Sequence, residues 1–266
     1  MESTETPIQQ RYNQWDNKLS EHYLQLHPEA HYTIWDGVLF PDDYEKSVLK
    51  VMFLNREAYD TRGAEYWLHH DLQSKIKNGE EIFPYQYNLR KRLKQYLAVL
   101  NYEVSNGFKV VSDNAARDFV NSVDNDAFYE FMRGVAYCNV KKSDGKPQSD
   151  LDDLHINAKI NLGILKSQIS FYNPSIILAG DVCYGVLEDL LEWDDEELYM
   201  DPNRRIRVWI LRINGEKYPF VDMFHPSRRS GMKEYYLDLL HAMQAIEINH
   251  PGFWQSHLGK DCFSAQ

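Results

Sequence analysis

Three short, almost unbroken apolar runs limit what this chain can become. Val48–Leu54, Val135–Val140 and Ser175–Ala179 are apolar at nearly every position rather than at every second one. A strand of that kind is covered on both faces, as in the interior of a parallel sheet between two layers of helices. The intervening segments carry the helical period. Ile8, Tyr12, Trp15, Leu19, Tyr23 and Leu26 recur at steps of three and four, and Leu89, Leu93, Tyr96, Leu97 and Leu100 share one face of a helix predicted over Asn88–Leu100. Arg90, Lys91, Arg92 and Lys94 fall largely on the opposite face, a pattern more often solvated than functional. Further helices are predicted over Asp113–Met132, Ile156–Tyr172, Val182–Leu191 and Met232–Ile248, and strands over Arg205–Ile213 and Pro219–Phe224. Strands alternating with helices specify an α/β fold, a three-layer α/β/α sandwich with a mainly parallel central sheet. Residues 47–266 form this single unit. Residues 1–46, a helix followed by an aromatic-rich irregular stretch, are an extension packed on it.

Composition narrows the class. At 266 residues, 43% hydrophobic and 26% charged, the chain can bury a sizeable core and is not disordered. It has no apolar run of the ~18 residues a membrane span needs, and its N-terminus lacks the basic-then-apolar pattern of a secretory leader, so an intracellular, cytoplasmic protein is expected. Three widely spaced cysteines, Cys138, Cys183 and Cys262, argue against a disulfide framework, a zinc ribbon or a cysteine-held iron–sulfur cluster. His69-His70-Asp71 has no third ligand at a metal spacing, and no Walker loop, dinucleotide fingerprint or nucleophile elbow occurs; no metal and no cofactor are expected.

The net charge of −11 is the wrong sign for indiscriminate coating of nucleic acid. Yet Asn203–Lys233 holds eight basic residues against two acids, a local +6 on a body of −17. Such an island either guides a polyanion to one face or decorates two solvated strand ends.

Ligands of open α/β sheets bind beyond the carboxyl ends of the strands. Three predicted strand ends carry polar groups suited to chemistry: Asn55–Asp60, Asn139–Lys142 and His225–Ser230. If those strands are parallel neighbours, a carboxylate, a carboxamide and an imidazole meet in one cleft.

In this order the segments resemble the motifs of the uracil-DNA glycosylase superfamily. Phe53–Asp60 (FLNREAYD) is similar to its water-activating motif, and Tyr137–Lys142 (YCNVKK) to the motif whose asparagine reads the flipped base. Asn173–Gly180 (NPSIILAG) is similar to its glycine-ended core strand, and Phe224–Ser230 (FHPSRRS) to its His-Pro-Ser loop. The set spans Phe53 to Ser230. The chain departs from the family pattern at Asn55 and Ala58, where glycine and proline are usual, and at Glu57, where aspartate or asparagine is commoner.

The resemblance implies a uracil-DNA glycosylase-like fold and a DNA glycosylase with DNA as partner, expected as a monomer. The lack of an evident amine nucleophile points to a monofunctional enzyme, with Lys141 and Lys142 close enough to leave a lyase step open. Glu57 would orient or deprotonate water and favour the cationic sugar, and His225 would donate to the oxyanion on the leaving base. Asn139 would read the flipped base, with Tyr59 walling the pocket and Phe83 stacking on the ring. Ser227, Arg228, Arg229, Ser230, Lys141 and Lys142 would contact DNA. An amide can be turned to match either uracil or cytosine, so the target is uracil or a modified pyrimidine, including a modified cytosine of phage DNA, in repair or in antiphage defence. The alternative is a catalytically degenerate member of the same fold that binds nucleic acid or a partner.

Overall fold

The structure, a computed structural model, describes residues 5–28, 33–59, 66–84, 86–145, 150–194, 197–203, 205–228 and 234–258. Its centre is an eight-stranded sheet. Four strands run parallel: β2 (Val51–Asn55), β3 (Val135–Asn139), β4 (Ile176–Gly180) and β6 (Glu216–Met223), in the spatial order β6-β4-β2-β3. Antiparallel strands close both sides, β1 (Gly37–Val38) on β3 and β5 (Ile206–Ile213) on β6, and Tyr199–Met200 and Glu192–Trp193 both pair with the outer edge of β5. The chain order reverses direction between β2 and β4, which makes their carboxyl ends the topological switch point, where doubly wound sheets bind ligands.

Alternate side chains of the central strands enter two separate cores. Val51, Phe53, Val135, Tyr137, Ile176, Leu178 and Val221 pack under α2 (Tyr87–Asn106), the helices Asp113–Ser122 and Asn125–Met132, and α5 (Tyr235–Asn249). Met52, Leu54, Ala136, Cys138, Ile177, Ala179 and Phe220 pack under α1 (Pro7–Leu26), α3 (Leu151–Ile160) and α4 (Leu162–Tyr172). Every residue of β2, β3 and β4 is buried, which is why their sequences read as solid apolar runs. The mixed α/β, mostly parallel architecture with helices on both faces is therefore the three-layer arrangement expected. No helix among the described residues is long and apolar enough to cross a membrane.

Several predicted elements are redrawn by local caps. The helix predicted over Asp113–Met132 breaks at Val123-Asp124, because the Asp124 side chain accepts from the Ala127 N–H and starts a new helix. The one predicted over Ile156–Tyr172 begins at Leu151, capped by Asp150, and bends at Asn161, whose side chain is held 2.9 Å from His27 Nε2. Val182–Leu191 is not a helix throughout: one wide turn, Cys183–Leu187, is kinked at Gly185, with φ of 72°. The stretch before residue 47 is more ordered than its composition suggests. Gly37-Val38 joins the sheet, and Pro41–Lys46 is a helix.

Candidate functional site

The parallel register fixes which side chains meet at the switch point. Asn55 and Asn139 are the last residues of β2 and β3, stand opposite each other in the ladder, and share parity with Phe53 and Tyr137. Both carboxamides therefore leave the sheet on the α2 face. The pairing runs past the strand ends, since Val140 N–H donates to Asn55 O (2.8 Å) and Lys141 N–H to Arg56 O (3.0 Å). Gly180 ends β4 on the other side of Asn55. A methyl group there would lie 2.9 Å from Asn55 Oδ1, 3.1 Å from Pro226 Cδ and 3.3 Å from His225 Cδ2. Glycine is thus what allows the asparagine of one strand end and the histidine loop of another to close on the backbone of a third.

These groups are buried and incompletely bonded. Asn55 is 2% exposed and Asn139 1%. Neither polar atom of the Asn55 amide has a hydrogen-bond partner among the described residues, nor do Asn139 Nδ2 and Glu57 Oε1. Buried polar groups are nearly always paired, and leaving one unpaired costs roughly 1–3 kcal/mol. Four such atoms beside one switch point mark a site arranged for something other than stability.

His225 begins the turn after β6. Its Nδ1 accepts from Ser227 N–H (3.2 Å) and lies 2.7 Å from Ser227 Oγ, which leaves the ring proton on Nε2. Burial first, and then the guanidinium of Arg56, push its pKa down to about 4, with Asp181 opposing and Arg92 adding to the fall. The imidazole is neutral at pH 7 and a donor through Nε2. Arg56 is itself tied to Asp181, donating from Nε to its carbonyl (3.1 Å) with Nη2 3.5 Å from Oδ2.

The turn is braced from α2. Arg92 Nη1 donates to Pro226 O (2.7 Å) and to Arg228 O. Arg92 is buried, not on the solvated face where its basic neighbours placed it by periodicity, and burial lowers its pKa. The sequence signal available was only its position inside the helical stripe, one residue before Leu93. Arg228 is exposed, with its guanidinium 3.8 Å from the Phe224 ring centroid. Ser227 is exposed next to it.

Lys141 and Lys142 are not free for phosphate. Lys141 Nζ donates to Asp153 Oδ2 (2.6 Å) and lies 3.6 Å from Glu57 Oε2. Burial works against its charge, but Asp153 and Glu57 outweigh it and raise the pKa. Lys142 points into the interior, 2.6 Å from Asp36 Oδ1. The reason is the same for both: each follows a buried strand end and finds an acid there. Asp36, from the segment before β1, also accepts from Asn139 N–H (2.7 Å) and from Gln168 Nε2 (3.2 Å). The amino-terminal extension thereby fixes the backbone of the candidate reading residue, a role no sequence signal indicated.

Phe83 is half-buried, at φ of 49°, with its ring 5.7 Å from that of Tyr137, on the face that carries Asn139. Such a φ is uncommon for a bulky residue and concentrates at functional positions. The backbone of Ala58-Tyr59 pairs with Asp144-Gly145. The Tyr59 side chain, and Arg229 and Ser230 entirely, lie outside the described residues. Part of the basic island is paired among the described residues: Arg205 with Asp238, and Arg212 and Lys217 both with Asp194.

No family model matches this chain, and a search of curated proteins finds no similar sequence.

Proposed function

We propose that the protein is a DNA glycosylase that hydrolyses the bond between a flipped pyrimidine and its sugar, with the fold and motif order of the uracil-DNA glycosylase superfamily. The observation that carries this reading is the neutral, Nε2-protonated His225 set across Gly180 from the buried Asn55 carboxamide, which has no partner among the described residues. Breaking the bond sends its electron pair onto the base and leaves positive charge on the sugar. A neutral ring donates to the developing oxyanion without first having to lose a proton to the base. Glu57, with one oxygen held near Lys141 and the other unpartnered, orients water and takes its proton as the new carbon–oxygen bond forms. Asn139, its backbone locked by Asp36, reads the base edge, and Phe83 covers the ring.

Lys141 supports a monofunctional enzyme. An amine nucleophile must be unprotonated, whereas two carboxylates hold this ammonium in its charged form. The product is then an intact strand with an abasic site.

The test is release of free base from DNAs carrying uracil and natural modified pyrimidines, read by mass spectrometry, with hot alkali to cut the abasic product. Glu57→Ala and Asn139→Ala should each lower release by at least about 100-fold. Activity that survives both substitutions refutes the assignment. The Lys141–Glu57 contact also suits a second reading, in which the carboxylate is structural and the protein binds DNA without cleavage. Tight, base-selective binding with no base released from any substrate would favour it.

A further inference from the structure

We propose that Asn55 is a second oxyanion donor, acting beside His225 on the carbonyl oxygen adjacent to the glycosidic nitrogen of the leaving base. The inference rests on the glycosylase reading and adds to it a residue that lies at a departure from the motif pattern. Three observations support it. The Asn55 amide and the His225 ring edge both lie within 3.3 Å of the point a Gly180 methyl would occupy. These distances make the two side chains neighbours across Gly180, and an oxyanion needs its donors about 2.7–3.1 Å away. The ring atom that faces Gly180, Cδ2, is bonded to Nε2, the nitrogen that carries the ring proton. Finally, both polar atoms of the Asn55 amide lack a partner among the described residues, although the residue is 2% exposed. No hydrogen bond commits the amide to one orientation, and its NH2 is available for a new acceptor.

The neighbouring strands distribute the labour. Asn139, across the ladder on β3, reads the far part of the base edge, while Asn55 and His225 converge on the oxygen nearest the sugar. As the glycosidic bond breaks, its electron pair delocalises from the ring nitrogen onto that oxygen, so both donors strengthen in the transition state rather than in the bound substrate. The leaving group this arrangement requires is a 2-oxopyrimidine. A purine leaving through its imidazole nitrogen has no carbonyl adjacent to that atom and would leave both donors unanswered.

The experiment compares wild type with Asn55→Ala, Asn55→Leu and Asn55→Asp on one pyrimidine-containing DNA, and on a series with 5-substituents that make the base a better or poorer leaving group. The expected result is a fall in kcat of about 100- to 1000-fold for Ala and Leu with little change in KM, a larger fall for Asp, and a deficit that grows as the leaving group worsens. Thermal melts of Ala and Leu should match or exceed wild type, because each removes an unpartnered buried amide; a purely packing role would lower them instead. Wild-type release with kcat retained in Asn55→Ala overturns this inference alone. Absence of base release by wild type on every substrate overturns the glycosylase reading and this inference with it.

Discussion

Adding one methyl group at Gly180 tests whether the histidine turn and the strand end are as tightly seated as the site requires. The new carbon would meet Asn55 Oδ1 at 2.9 Å, Pro226 Cδ at 3.1 Å and His225 Cδ2 at 3.3 Å. The Asn55 amide can swing on its χ angles. The proline and histidine cannot retreat so easily, because Arg92 holds the Pro226 carbonyl at 2.7 Å and Ser227 holds the imidazole. Overpacking of this kind costs about 1–3 kcal/mol. Displacing a catalytic group by even ~1 Å lowers turnover about 100-fold. Gly180→Ala should therefore show a lower urea midpoint and a drop in kcat far larger than its loss of stability explains at assay temperature. Gly163→Ala is the control: nothing lies within 4 Å of its added carbon, in a helix, so it should gain up to about 1 kcal/mol. If Gly180→Ala melts and turns over like wild type, His225 and Asn55 are not jammed against β4, and the two-sided site argued above is wrong.

Arg92→Met should cost roughly 2 kcal/mol by urea denaturation, since two carbonyls of the histidine turn lose a charged donor. It should also raise the His225 pKa, moving the acid limb of the pH–rate profile to higher pH. Lys142→Met strands the Asp36 carboxylate at 2% exposure and should destabilise by about 3–5 kcal/mol; adding Asp36→Leu should recover much of that, as a double-mutant cycle would show. Two groups set opposing pH dependences of stability. His225, at about 4 when folded, binds its proton first in the unfolded chain, so stability falls as pH drops from 6.5 toward 4, by up to roughly 3 kcal/mol. Burial raises Glu103 to about 7, so its contribution is present at low pH and lost as pH rises from 4.5 to 7. Glu103→Gln should then be more stable than wild type at pH 8 by about 2–3 kcal/mol, measured by denaturant midpoint, with no advantage at pH 4. DNA affinity should depend only weakly on salt, with a slope near −2 in log K against log salt, if Arg228 and its neighbour Arg229 are the main phosphate contacts; a slope steeper than about −5 would show that further cations engage.

The fold was legible because burial on two faces leaves a mark on composition. The runs at Val51–Leu54, Val135–Cys138 and Ile176–Ala179 had to be interior parallel strands, and the residues after them had to sit at one edge of the sheet. What periodicity could not show was how polar side chains are spent. Lys141 and Lys142 read as a basic pair at a strand end, yet acids 12 and 106 positions away claim them. Arg92 is indistinguishable in sequence from Arg90, but reaches across 134 positions to a proline carbonyl. Such pairings are long-range choices among chemically equivalent partners, and a one-dimensional pattern carries no term for them.

That division also explains how the site can hold unpartnered amides at all. Among the described residues, Asn55, Asn139 and Glu57 leave hydrogen-bonding capacity unused in a buried place, which works against folding. Around them the chain sets bonded groups: Asp36 takes Lys142, Gln168 and the Asn139 N–H, Arg92 takes two turn carbonyls, and Arg56 takes Asp181. This shell fixes the backbone beneath the inner groups, so that under the glycosylase reading their unused capacity stays directed at a ligand. Loosening the shell should therefore harm catalysis before it harms the fold, whereas filling the inner amides with apolar side chains should do the reverse: a firmer protein that no longer tells one base from another.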